Sequence, residues 1–231
     1  MTRTRGRGWL LAATIALASA RESAAAERPA QAFGRAFGAP VVLLAIGPGA
    51  AEALVRKLQE IEAIEASLNT PFLADGAPHE VDRARLDVAE KGKALCLWSD
   101  GLLAPFGIGP PLPPLPASGP QMELPPLCER ARVDLAAKTL TLAPEAKLEL
   151  EELAAGYAVD RAIEAMQADG LTTGFAAVGR VQRAYGPGPE GRGWRSLLPE
   201  TVTRLDVGLA PPFLRDRALA IATSEDVPPQ D

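Results

Sequence analysis

The stretch APFGIGPPLPPLPASGPQMELPP, Ala104 to Pro126, constrains the fold more than any other part of this chain. Nine of the 22 prolines crowd into it between Pro105 and Pro126. Proline lacks a backbone N–H and locks φ, so neither a continuous helix nor a central strand passes through such a run. The segment 105–126 reads as a stiff, partly extended surface loop, a spacer in preference to a docking segment. The periodic elements must therefore lie on either side of it.

On the N-terminal side, APVVLLAIG (Ala39–Gly47) reads as a buried strand ended by Gly47, Pro48 and Gly49. Leu54, Leu58, Ile61, Ile64 and Leu68 then recur at spacings of three and four, the apolar stripe of a long helix that Asn69 can stop. Phe72 to His79 is expected to be a loop, and a second helix to run from about Arg83 to Trp98, closed by the turn Ser99–Gly101. On the C-terminal side, Ala131–Leu142 reads as a hairpin and Leu148 to Ala168 as a helix with Gly170 as its stop. TTGFAAVGRVQRAYG and RALAIATS are strand-like, separated by the turn GPGPEGRG and a strand candidate around Trp194. No repeat of solenoid period is present. The alternation predicts an α+β fold with long helices on one face of a mainly antiparallel sheet.

The first residues read as an export signal. Arg3, Arg5 and Arg7 precede an apolar run from Trp9 to Ala20, and small-residue cleavage patterns follow at Ala18–Ala20 and Ala24–Ala26. That run is too short to span a bilayer, so residues 1–26 are expected to be a secretory signal peptide and 27–231 one α+β domain. The domain is then secreted or periplasmic, with no transmembrane segment in the mature chain. Cys96 and Cys128 fit either a disulfide in an oxidising compartment or two buried thiols. The net charge of -5 leaves no basic excess to neutralise phosphates, which argues against a nucleic-acid partner.

Few residues offer chemistry. His79 is the chain's one histidine and lies in a polar stretch, so nucleophile–histidine centres and a zinc site with the two cysteines have little support. The Gly-rich turns carry no phosphate-loop lysine. There remains ELEELAAGYAVDRA, Glu149 to Ala162, where Gly156 stands inside a helical pattern among Ala154, Ala155 and Ala158. A helical glycine costs about 1 kcal/mol relative to alanine. Small residues there suit either close helix packing or the close approach of a flat ligand. Glu149, Glu151 and Glu152 at the start of the helix suit its dipole, or a hard cation such as magnesium.

These segments, in this order, resemble the FAD:protein FMN transferases, the ApbE family, from about Phe37 to Ser224. FGAPVVL is similar to the family's Met-Gly-Thr opening, EIEAIEASLNT to its glutamate-rich first helix, and LWSDGLLAP to its Thr-Asp-Gly-x-Phe-Asp-Pro turn. ELEELAAGYAVDRA is similar to Asp-Leu-Gly-Gly-Ile-Ala-Lys-Gly-Tyr-Ala-Val-Asp-Arg-Ala, and AIATSED to Ala-Thr-Ser-Gly-Asp. The resemblance implies a T-fold-related α+β architecture. It further implies a reaction in which FAD is cleaved and its FMN half passed, with Mg2+, to a threonine of a target flavoprotein. By position it implies flavin contacts at Phe37, Glu149, Ala155 and Gly156 and a metal contact at Glu152, and it assigns no catalytic side chain.

The departures from the family pattern are specific. Glu149 stands for an aspartate, Glu151 and Glu152 for a glycine pair, Ala155 for a lysine, Ala104 for the aspartate of the turn, and Phe37 for a methionine. Of the Gly-Gly-Asp turn only Gly179 matches, followed by Arg180 and Val181. The later His-His-Ile-Ile-Asp-Pro and Asp-Ala-x-x-Thr segments of the family have no counterpart up to Asp231. A transferase with an altered site and a non-catalytic flavin-binding or scaffold pseudoenzyme are the two functional expectations.

Overall fold

The computed structural model describes residues 28–101, 103, 105–106, 126–144, 146–197 and 213–220. The expected signal peptide at 1–26, Ala104, most of the proline-rich stretch and the AIATSED tail beyond Ala220 lie outside them.

The main sheet has five strands: β1 (Ala30–Ala36), β2 (Ala39–Ile46), β6 (Thr173–Val178), β7 (Val181–Tyr185) and β10 (Arg217–Ala220), in the order β1-β2-β6-β7-β10. Every neighbouring pair is antiparallel. One face carries α1 (Ala50–Asn69) over β1 and β2 and α3 (Glu151–Ala168) over β6 and β7. Between them lies the principal core, with Val41, Leu43, Leu54, Ile61, Ala158, Ile163 and Met166. Burial of these aliphatic side chains is the main stabilising term, at roughly 25 cal/mol per Å² removed from water. The other face packs Phe175 and Ala177 under a two-stranded ribbon, β8 (Trp194–Arg195) with β9 (Phe213–Leu214). The central strand β6 is therefore buried at every residue.

A second layer comprises α2 (Arg83–Trp98) and a small sheet of β3 (Pro78–Glu80), β5 (Thr139–Leu142) and β4 (Ala131–Asp134), in the order β3-β5-β4. Asp82 caps α2 by accepting from the Arg85 amide at 2.9 Å. Arg85, buried, turns back to cap the end of α1 through the carbonyls of Ser67 and Thr70. This guanidinium serves the last carbonyls of α1, which have no partner within that helix.

Several sequence expectations are corrected. The span Phe72–His79 is not all loop, because Pro78, His79 and Glu80 form β3 on β5. His79 bonds Asp75 at 2.8 Å and meets Phe72 edge-on. That bond holds the Asp75 carboxyl below its ordinary range. Strand β1 was not anticipated, since alternate Ala32, Gly34 and Ala36 give a weak strand signal. Gly34 lies close under α1, where a Cβ would stand 2.6 Å from the end of the Leu58 side chain and oblige it to shift. Helix α3 begins at Glu151, not Leu148, because the Glu149 amide donates to the Pro105 carbonyl at 2.7 Å.

The proline-rich stretch is not a surface loop at its start. Phe106 has 0% exposure within the core shared by α2 and the small sheet. Cys96 and Cys128 are joined in a disulfide that closes this segment onto α2.

Candidate functional site

The β1–β2 turn, the β6–β7 turn and the end of β10 at Ala220 lie at one end of the main sheet. Helix α3 runs antiparallel to β6, so its N-terminus lies near the β6–β7 turn at Gly179 and Arg180. Here the Gly179 amide donates to the Pro40 carbonyl at 2.9 Å. The β1–β2 turn, with Phe37 and Gly38, closes the same end. Ala220 pairs with Val181, so β10 also points its C-terminal end here.

Across the motif, most side chains serve the fold. Ala154, Ala158, Val159 and Ala162 are buried. The Tyr157 hydroxyl donates to Asp87 of α2 at 3.1 Å, and Asp87 is in turn paired with Arg83 at 2.8 Å. Burial, reinforced by the Asp87 charge, pushes the Tyr157 hydroxyl up to about 12. Arg161 pairs with Glu164 at 2.7 Å on the exposed side.

Gly156 and Asp160 are one turn apart on the remaining stripe of α3. Asp160 reaches across to Arg183 of β7 at 2.7 Å, so this stripe faces the β7–β10 side of the sheet. In an antiparallel ladder paired residues share a face. Val181 and Arg183 pair with Ala220 and Ala218, which places both alanines on the helix-bearing face of β10, where they remain exposed. Val181, Ala218 and Ala220 thus share one face of the sheet beside the Asp160–Arg183 pair, with Gly156 one turn before Asp160 on α3, and this strip of small side chains is termed the trough.

Nothing lies within 4 Å of a Cβ built on Gly156. The close-packing explanation of this glycine therefore fails among the described residues, and its small size opens the trough wall. Gly156→Ala is expected to raise stability by about 0.5 to 1 kcal/mol through helix propensity alone. A denaturant midpoint that falls instead would mean that a neighbour does pack on this position.

The candidate residues are placed as follows. Phe37 sits in the β1–β2 turn with φ 54, donates its amide to Glu65 of α1 at 2.6 Å, and packs against the principal core. Ala155 packs against that same core beside the trough wall. Glu149 is exposed and paired with Lys147 at 2.9 Å. Glu152 lies in the first turn of α3, and its side chain is outside the described residues. Gly156 alone of these lines the trough, and no group of three His, Cys, Asp or Glu gathers as a metal site among the described residues. Arg183 was missed by sequence reasoning. The available signal was a charge at the middle of Val181, Arg183 and Tyr185, an otherwise apolar register.

Both tyrosines of the chain are perturbed in the same direction. Burial, with Asp169 adding to it, pushes the Tyr185 hydroxyl up to about 12 as well. The unfolded chain releases these protons from pH 10.0 upward while the folded chain keeps them. Their contribution is full below pH 10.0 and lost as pH climbs towards about 12, so stability falls through this window. Tyrosinate absorbance followed against thermal midpoint checks this, and ionisation of both side chains near pH 10.0 in the folded protein would refute it.

Comparison with known proteins gives the family and the fold. The family model described as ApbE family matches residues 56–226. No curated protein sequence matches the chain. Among solved structures, the apo form of the flavinyl transferase ApbE from Pseudomonas stutzeri is 20% identical, with a TM-score of 0.56 over 74% of this chain and 66% of its own. The flavin transferase ApbE from Vibrio cholerae is 19% identical, with a TM-score of 0.56 over 74% of this chain and 63% of its own. The chain thus spans slightly less than two thirds of either protein, and at these identities the likeness is one of fold.

Proposed function

The chain belongs to the ApbE family, and from that premise we propose that it is an extracytoplasmic FAD-binding protein of the FMN-transferase type. FAD would lie in the trough beside α3. The observation that carries this reading is Gly156, inside the segment similar to the family motif, where nothing among the described residues stands within 4 Å of a Cβ. A flat or extended ligand can run along the alanine floor there, where any larger side chain on α3 would stand in its path. Export is supported by the signal-like N-terminus and by the Cys96–Cys128 disulfide, since disulfides persist in oxidising compartments.

In the transfer reaction proposed, a threonine hydroxyl of an acceptor flavoprotein attacks the FMN phosphorus of FAD. The bond between the two phosphates breaks, a phosphoester forms, AMP leaves, and the hydroxyl proton passes to solvent or a base. Magnesium would offset the charge that develops on the phosphates. The described side chains do not fit a magnesium cradle: Glu149 is exposed and engaged by Lys147, and no group of three His, Cys, Asp or Glu gathers as a metal site among the described residues.

That misfit favours a second reading, a non-catalytic flavin-binding or scaffold protein. Ala155 in place of the family's lysine, and Glu151 and Glu152 in place of its glycines, remove a cation and add negative charge where phosphates would lie. Titration of FAD into the chain from Glu27 onward, with and without Mg2+, followed by an AMP-release assay with a threonine-bearing flavoprotein, separates the readings. Saturable binding with AMP release supports the transferase. Binding without release supports the second reading, and no binding at high micromolar FAD would sink both.

A further inference from the structure

We infer that Arg183 of β7, held by Asp160, is the group in this trough that takes the diphosphate of a bound dinucleotide. The inference deepens the FAD reading and rests on it for the identity of the ligand.

Arg183 is a cation on a sheet face that otherwise serves the core, between Val181 and the buried Tyr185. It is neither buried nor free, with its side chain 34% exposed and that of Asp160 44% exposed. An ion pair this exposed contributes little to stability, so holding the fold together is a poor account of it. Orientation is a better one. Guanidinium presents five N–H donors in a planar fork, and the Nη1 bond to Asp160 is the single hydrogen bond that Arg183 makes among the described residues. The remaining donors match the paired oxygens of a phosphate group.

The surroundings leave room for that partner. Arg183 faces Ala218 across the β7–β10 ladder, the next helix-side position on β10 is Ala220, and both alanines are exposed. Gly156, one turn before Asp160, presents no Cβ to the same space. Asp160 is thus a positioning residue: from α3 it holds the guanidinium on the face of the sheet that carries Ala218 and Ala220. The sheet supplies the cation, which offsets the loss of the family's lysine at Ala155.

The test uses three probes on the exported chain: FAD, ADP, which keeps the diphosphate without the flavin, and riboflavin, which keeps the flavin without phosphate. R183Q is expected to weaken FAD and ADP about tenfold or more while leaving riboflavin unchanged. Arg183→Lys should recover part of the loss, because the charge returns without the fork. Both variants should unfold at the same denaturant midpoint as the unaltered chain, which separates lost binding from lost folding. FAD and ADP binding to R183Q as they bind the unaltered chain would overturn the inference and leave the flavin reading intact. If the unaltered chain binds ADP but not FAD and R183Q loses ADP, Arg183 is upheld and the flavin reading falls. If it binds neither, both fall.

Discussion

Phe106→Ala is expected to destabilise the protein by about 3 to 5 kcal/mol, the range for removing a fully buried aromatic ring. Phe106 has 0% exposure and packs with Ala89, Ala131, Leu140 and Leu142, so truncation opens a cavity between α2 and the small sheet. The effect should reach α3. Pro105, the preceding residue, lies 2.7 Å from where a Cβ of Gly92 would stand, and its carbonyl takes the Glu149 amide just ahead of α3. Urea unfolding would read the loss as a lower midpoint at unchanged slope. A shift worth less than about 1 kcal/mol would mean that this cluster collapses around the void, or that Phe106 is not buried.

Removing the Cys96–Cys128 disulfide is the second large effect. The bond closes a chain segment with a sequence separation of 32, which by loop-closure entropy corresponds to about 3 to 4 kcal/mol. For a chain of this length the thermal midpoint should fall by about 10 °C. The replacement should be Cys96→Ala with Cys128→Ala, because Cys96 has 0% exposure and a serine there would bury a hydroxyl. A midpoint within about 2 °C of the oxidised protein would show that the segment is held by Phe106 and Pro105 alone. Phe106 and the disulfide restrain the same segment, so the combined variant should lose less than the sum of the two.

Local patterns were legible where one face of an element is buried. Leu54, Leu58, Ile61, Ile64 and Leu68 announced α1 because a 3.6-residue period places them on one stripe, and the unbroken apolar run of Ala39–Ile46 announced β2. The proline run was legible as an interruption, but the burial of Phe106 was not. One aromatic among prolines has no period, and only α2 and the small sheet together create its socket. His79 was misread for a related reason: three residues make β3, and a strand that short is defined by its partner β5 and not by its own pattern.

Of the site, the sequence by itself determined the helix around Gly156, its unusual run of small residues and the order of segments that marks the ApbE family. These are properties of neighbouring residues, and the helical period turns spacing directly into position. The tertiary structure alone decided that Gly156 has no packing partner, that Ala155 turns to the core, and that Asp160 meets Arg183 across 23 residues of chain. Such contacts depend on how α3 lies over β7 and on the register of β10, and no local propensity encodes a distance between segments that only packing brings together.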